Sequence, residues 1–135
     1  MILAQANRQT IQRIFEAFGR GDLATILSAL SPDVEWQVNG PPAIRYTGHR
    51  HGLQQVGQFF AALAESVEVK WFEPRDVVAQ DDDVIVFGLE RLRVKSTGRE
   101  VEDEWVMRFT LRDGQVTSFR EYLDTAAVAA AFQHA

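Results

Sequence analysis

Apolar positions in the first half of the chain recur at the spacing of amphipathic helices. The apolar stripe of the first predicted helix is Ile11, Ile14, Phe15 and Phe18. Gly19 and Gly21 follow this stripe and predict the end of the helix. Asp22 predicts the N-cap of a second, shorter helix over residues 23–30. A third stripe predicts another amphipathic helix over residues 53–63.

Other segments alternate apolar and polar residues, which is the period of a β-strand. Trp36 and Val38 point to one face of a strand that ends at residues 40–42, and a polar loop follows to about residue 52. Pro74 predicts a bulge or an edge position in the next extended segment. Three strands, over residues 84–96, 99–112 and 115–123, are followed by a terminal helix capped by Asp124. This order predicts a single α+β domain over residues 1–135, with helices gathered on one face of an antiparallel sheet.

Two turns set the register of the last three strands. If Thr97 and Gly98 form a two-residue hairpin loop, Glu90 faces Trp105. For the next turn, a two-residue loop mixes charged and apolar faces, whereas a three-residue loop over residues 112–114 keeps them apart and pairs Glu121 with Trp105. Glu90, Trp105 and Glu121 are then expected in one row. The expected cross-strand charge pairs on the opposite face are Lys95–Glu100, Arg93–Glu102 and Arg91–Glu104.

Three acids interrupt the apolar face of these strands: Glu90, Asp103 and Glu121. Burial and a like-charged neighbour raise the pKa of a carboxyl group toward neutrality, as a general acid or base requires. Glu90 and Glu121 are therefore candidates for a proton-transfer pair. Alternatively, one or both are solvated where the sheet splays open, or they pair with a helix residue such as Arg13. Asp103 lies nearer the open end of the sheet, where ordinary solvation is favoured.

Composition and charge narrow the chemistry further. The chain has 135 residues, no Cys and a formal net charge of -5, so disulfides and thiolate sites are excluded and nucleic acid is not the expected partner. No apolar run is long enough to span a bilayer, and the N-terminus does not resemble a signal peptide. We therefore expect a cytoplasmic protein without a membrane partner.

Other polar clusters are weaker candidates. His49 and His51 lie in the polar loop without acidic companions in sequence, so they are expected at the surface rather than on a metal. The acidic run at residues 81–83 lacks the spacing of a calcium loop and predicts a solvated turn. His134 falls in the tail. No metal site is expected.

Several short stretches resemble the nuclear transport factor 2-like superfamily, and within it the SnoaL-like branch. They are Phe18-Gly19-Arg20-Gly21-Asp22-Leu23, Leu30–Trp36, Tyr46-Thr47-Gly48-His49, Leu111–Val116 and Phe119–Asp124. The resemblance implies a cone-shaped curved antiparallel sheet wrapped by helices, with an apolar cavity at one end and a homodimer through the outer sheet face. It also implies acid–base chemistry without a cofactor, as in polyketide cyclases, isomerases and hydrolases of this superfamily.

Two members of the superfamily bear on the site. Limonene epoxide hydrolase resembles this chain in its last strand, which places its two catalytic acids at Glu121 and Glu90. Its water-holding Tyr and Asn align with Trp36 and Val38, and its bridging Arg aligns with Gly88. The resemblance therefore implies an acid pair without those partners. The catalytic positions of ketosteroid isomerase align with Val38, Ile14 and Met107, none of which supplies its base or donors.

The sequence thus predicts a protein that binds a small apolar molecule carrying a carbonyl or an epoxide. Glu121 and Glu90 are the predicted catalytic base and acid for isomerisation, cyclisation or hydration. A non-catalytic ligand-binding or dimerisation module is the alternative. The residues expected to line the substrate site are Trp36, Val38, Trp105, Met107, Phe119 and Asp103.

Overall fold

The computed structural model describes residues 2–134, which contain four helices and six strands. The helices are α1 (Ile2–Gly19), α2 (Leu23–Ser28), α3 (Gly52–Ser66) and α4 (Thr125–Phe132). The strands are β1 (Leu30–Val38), β2 (Gly48–His51), β3 (Val67–Gln80), β4 (Asp83–Val94), β5 (Glu100–Arg112) and β6 (Gln115–Leu123). Within these residues, no helix is long and apolar enough to cross a membrane.

The six strands form one curved, unclosed sheet in the order β2-β1-β6-β5-β4-β3. Neighbouring strands are antiparallel except β1 and β6, which run parallel. The core lies between the concave face of the sheet and the helices, and it includes Ile11 and Ile14 of α1 and Val56 and Phe59 of α3. The predicted α+β cone is therefore confirmed.

The helix caps follow from local hydrogen bonding. Asp22 accepts the backbone N–H of Thr25 at 3.1 Å and its hydroxyl at 2.6 Å, and this satisfies a free donor at the start of α2. Asp124 accepts the backbone N–H of Ala127 at 3.1 Å in the same way at the start of α4. Both predicted caps are confirmed. Pro74 lies at a register shift in β3, which is an edge strand, as its missing N–H requires.

Three segments differ from the sequence predictions. Leu30 does not belong to the second helix but begins β1, where it pairs with Val116. Part of the expected polar loop forms β2, which pairs with β1 although its residues are mostly exposed and carry no apolar alternation. The expected acidic turn is shorter than predicted, because Asp83 is the first residue of β4. There it accepts hydrogen bonds from Arg108 and Thr110.

The first predicted hairpin register is wrong by two residues. Val94 and Arg99 flank a four-residue loop, so Glu90 faces Asp103 rather than Trp105. The wider loop is held by distant groups: the Thr97 hydroxyl donates to the Ala131 carbonyl at 2.6 Å. The expected charge pairs change accordingly, and the observed register pairs are Arg93–Glu100 and Arg91–Glu102, with Lys95 donating to the Ala64 carbonyl.

The second hairpin also differs from the favoured alternative. Its loop has two residues, Asp113 and Gly114, both with the positive φ of a primed turn. An extra residue on β6, Thr117, then restores the separation of apolar and charged faces through a β-bulge. Glu121 therefore faces Met107, and the expected row of Glu90, Trp105 and Glu121 does not form.

Trp105 is instead accommodated by a glycine on the neighbouring strand. Gly88 faces Trp105 across β4 and β5, and a Cβ at Gly88 would lie 2.2 Å from the indole ring. The indole stacks on Phe72 with ring centroids 4.6 Å apart and planes 5° apart. A side chain at Gly88 would displace the buried indole from this stack.

We expect Gly88→Ala to lower the free energy of unfolding by about 2–3 kcal/mol, because the added methyl group overlaps a buried ring. Urea denaturation measures the change. Gly19→Ala is the matched control, since a Cβ at Gly19 meets no heavy atom within 4 Å. Equal stability of the two variants would contradict the assigned packing of Trp105.

Candidate functional site

Three buried acids lie on the concave face of adjacent strands. Glu90 is on β4, Asp103 on β5 and Glu121 on β6, and they are only 8%, 2% and 9% exposed. Glu90 and Asp103 face each other directly, while Glu121 lies on the next strand opposite Met107. The structure therefore contradicts the alternative in which these acids are solvated at a splayed end of the sheet. Arg13 does not pair with them; its guanidinium donates to the Thr10 hydroxyl at 3.2 Å.

A partly open cavity of about 70 Å³ lies against Glu90 and Glu121. This volume holds a handful of water-sized groups. Apart from the two acids, its walls are apolar and aromatic. The lining residues are Ile14, Phe15, Phe18, Ile26, Trp36, Tyr46, Phe59, Phe60, Leu63, Val69, Phe72, Leu92, Met107, Phe109 and Phe119.

The carboxyl groups of Glu90 and Asp103 face each other, and a hydrogen bond between them requires a proton on one of the two. Burial, the nearby charge of Glu121 and the Asp103 carboxyl group raise the pKa of Glu90 well above its usual range. Burial also raises the pKa of Asp103, although the hydrogen bonds from Glu90 and from the Asp124 backbone N–H oppose this shift.

Glu121 is buried close to Asp103, which favours its protonated form. Burial, followed by the nearby charge of Asp103, raises the pKa of Glu121 to about 8. Within residues 2–134 no Lys or Arg side chain forms a salt bridge with any of the three acids. The site is therefore a cluster of three buried carboxyl groups between apolar walls, and the pKa of each is raised above its ordinary value.

Tyr46 adds a hydroxyl group to the same end of the cavity. It is buried, and its Oη has no hydrogen-bond partner among the described residues. Burial and the charges of Glu90, Glu121 and Asp103 raise the pKa of Tyr46, so its hydroxyl remains a proton donor. Trp36 lines the cavity as well, and its indole N–H is likewise buried without a partner in residues 2–134.

The sequence analysis missed Tyr46 as a site residue. It lies in the loop between β1 and β2, which shows no periodicity. Two backbone turns shape this loop, in which Ile44 N–H donates to the Pro41 carbonyl and Thr47 N–H donates to the Ile44 carbonyl, each at 3.0 Å. The only sequence signal was the stretch Tyr46-Thr47-Gly48-His49, which carried part of the family resemblance.

The predicted site residues fall into two groups. Five line the cavity: Glu90, Glu121, Trp36, Met107 and Phe119. The other three are buried nearby but are not among its lining residues: Val38, Trp105 and Asp103. Asp103 faces Glu90, and its charge also raises the pKa of Glu121 and of Tyr46. Trp105 stacks on Phe72. Missed lining residues include several phenylalanines of α1 and α3, whose spacing predicted only a helix core.

The histidines of β2 have an acidic companion, contrary to expectation. His49 Nε2 lies 2.5 Å and His51 Nδ1 lies 2.6 Å from the carboxylate of Glu35 on β1. The hydrogen bond with His51, then that with His49, lowers the pKa of Glu35. All three side chains are largely exposed, and the described residues contain no cluster of three or more ligands suited to a metal ion.

Residues 11–119 match the model of a protein family described as the SnoaL-like domain. The chain belongs to this family. The match spans both hairpins and the strands that carry Glu90 and Asp103, and it ends two residues before Glu121.

Individual relatives of this SnoaL-like domain cover nearly its whole length. An NTF2-like protein of Burkholderia xenovorans LB400 is 38% identical, with a TM-score of 0.88, over 96% of this chain and 98% of that one. TerC, co-crystallized with polyporic acid, is 26% identical, with a TM-score of 0.82, over 94% of this chain and 98% of that one. The uncharacterized protein Rv0034 of Mycobacterium tuberculosis is 29% identical over 90% of this chain and 92% of its own length.

Proposed function

We propose that this SnoaL-like domain is a cofactor-independent acid–base enzyme acting on a small apolar molecule that carries a carbonyl or an epoxide oxygen. Glu121 is the proposed general base and Glu90 the proposed general acid. The observation that carries the proposal is the placement of both carboxyl groups, buried and without a salt bridge to any cation of residues 2–134, in the wall of an otherwise apolar cavity. Similarity to TerC, with its polyporic acid, supports binding of a small organic molecule.

For a carbonyl substrate, the proposed first step is removal of a proton from the carbon beside the carbonyl. The Glu121 carboxylate takes the proton, and the electron pair of the broken C–H bond moves onto the carbonyl oxygen to give an enol(ate). With a pKa of about 8, ionised Glu121 is a stronger base than an ordinary glutamate. The hydroxyl of Tyr46 and the indole N–H of Trp36 are free to donate to the developing oxyanion.

Glu90 provides the returning proton in this scheme. Its O–H is held by Asp103 in the resting site, so the two carboxyl groups together store one proton. Rotation of that O–H into the cavity delivers the proton to the enol(ate) carbon. For an epoxide, it protonates the ring oxygen as one C–O bond breaks, while a water molecule that gives its proton to Glu121 forms the new C–O bond at that carbon. Asp103 is then a positioning residue, because it touches Glu90 rather than the substrate.

Titration of the side-chain carboxyl groups by 13C NMR tests the proposal directly. We expect a pKa of about 8 for Glu121 and a pKa for Glu90 well above its ordinary range, because both are buried. Exposed Glu104 provides the internal reference. Values near about 4.3, the value in model peptides, for both Glu90 and Glu121 would contradict the acid–base assignment and favour a non-catalytic module.

We also propose a homodimer formed through the convex face of the sheet. Phe87, Val106 and Tyr122 form one row across three strands on this face, and Phe87 and Tyr122 are 43% and 42% exposed. Exposed aromatic side chains in one row are typical of a contact surface. This arrangement supports the dimer that the family resemblance implies.

Sedimentation velocity tests the dimer. The wild-type chain is expected to sediment as a dimer at high micromolar concentration, and Phe87→Lys as a monomer, because the charge is buried by association. The control is Leu3→Lys, which alters another exposed apolar residue at the start of α1. A wild-type monomer at high micromolar concentration would rule the dimer out.

A further inference from the structure

A much larger groove on the surface lies directly beside the acid-lined cavity and shares part of its wall. The groove has a volume of about 810 Å³ and lies between α1, α3 and β3. Four phenylalanines line both the cavity and the groove: Phe15, Phe18, Phe60 and Phe72. The cavity alone, at about 70 Å³, is far smaller than the range of about 300–1,000 Å³ usual for small-molecule sites.

The groove differs from the cavity in chemistry. None of its lining residues carries a charge, and its walls are lined by small residues, Gly19, Gly57, Ala61 and Ala64 among them. At its rim, Leu23 and Trp71 are large apolar side chains left exposed to solvent. A surface concavity without a charged wall favours an occupant that is apolar along its length.

We infer that the substrate is an amphiphile with a small oxygen-bearing head and an extended apolar tail. The head occupies the cavity beside Glu121 and Tyr46, and the tail passes between the four shared phenylalanines into the groove. The groove is therefore the specificity determinant for tail length. The inference rests on the proposed function in one respect, since it takes the acid-lined cavity as the place that holds the reacting head.

Binding of straight-chain 2-alkanones, from 2-butanone to 2-decanone, tests this inference. Chemical-shift titration of the 15N-labelled protein gives the dissociation constants. Each methylene that enters the apolar groove is expected to tighten binding by about fourfold, the factor associated with burying one CH₂ group. Affinity that does not change with chain length would overturn the inference.

A variant that fills the groove provides the second measurement. A Cβ at Gly57 meets no heavy atom within 4 Å, and leucine favours a helix more than glycine does, so Gly57→Leu should fold. We expect it to weaken binding of 2-decanone by about tenfold or more while 2-butanone binding stays within about twofold. The matched control is Gln58→Leu, which adds leucine at an exposed neighbour outside the groove.

Other results would contradict the inference. If Gly57→Leu weakened the binding of 2-butanone and of 2-decanone equally, the inference would be overturned, because the groove would then not bind the apolar tail. A shift of the sedimentation coefficient by Gly57→Leu without an effect on 2-decanone would also overturn it, by assigning the groove to contact between copies of the chain. If affinity rises with chain length while Glu90 and Glu121 titrate as ordinary glutamates, the proposed acid–base function is contradicted, but the inference that the groove binds the apolar tail is supported.

Discussion

Replacing Glu121 with glutamine is expected to slow the exchange of the α-hydrogens of 2-butanone for deuterium by about 10²–10⁴-fold, the usual contribution of a positioned general base. Glutamine keeps the size and hydrogen-bonding capacity of the side chain but cannot take a proton. The wild-type rate is expected to rise with pH through about 8, because Glu121 acts as a base only after it loses its proton. Proton NMR in D₂O follows the exchange.

The control for this measurement is Glu104→Gln, which makes the same substitution at an exposed position on the convex face of β5. It should retain the wild-type rate and pH profile. Urea denaturation shows whether Glu121→Gln is still folded. Loss of the base can then be distinguished from loss of the folded structure. Equal exchange rates for the wild type and folded Glu121→Gln would remove Glu121 from the proposed mechanism.

The second large effect concerns stability and pH. The pKa of Glu121 is about 8 in the folded chain, whereas its ordinary value is 4.5, so between these pH values the folded state holds a proton that the unfolded state has released. The free energy of unfolding therefore falls as pH rises from about 4.5 through about 8. Glu121 alone accounts for a loss of about 3–4 kcal/mol over this interval.

Glu121→Gln should remove most of this pH dependence. The variant is expected to resemble the wild type near pH 5 and to be more stable at pH 9, where the wild type must keep a buried carboxylate ionised. Urea denaturation at pH 5, 7 and 9 measures the difference, and Glu104→Gln should keep the wild-type slope. A wild-type stability that increases between pH 5 and pH 8 would contradict the raised pKa of Glu121.

The helices and the assignment of residues to sheet faces were predictable because each depends on a local period. Strand register was not, because it depends on contacts between distant residues. Thr97 donates to Ala131, and Lys95 N–H donates to the Ser66 carbonyl, which together favour a wider loop than Thr97 and Gly98 suggested. Because the resulting shift is two residues, every side chain kept its face while its partner across the sheet changed.

The same physical distinction explains the site. Glu90, Asp103 and Glu121 were identifiable as acids on an apolar face, but the wrong register placed Trp105 where Asp103 lies. The bulge at Thr117, which the charge pattern did not reveal, moves Glu121 opposite Met107. Tyr46 could not be predicted as a site residue, because its inward position results from turns in an irregular loop. Such a loop has no repeating sequence pattern.

The parallel pairing of β1 and β6 has a consequence for how the chain is made. Trp36 of β1 stacks on Phe119 of β6 with ring centroids 3.9 Å apart, and more than half of the chain lies between these residues. During synthesis, β1 emerges from the ribosome long before its partner exists. The antiparallel meander from β3 to β5 can assemble first, whereas β1 and β2 join the sheet only once β6 has been released. Completion of the cavity is thus among the last events in the folding of a newly made chain.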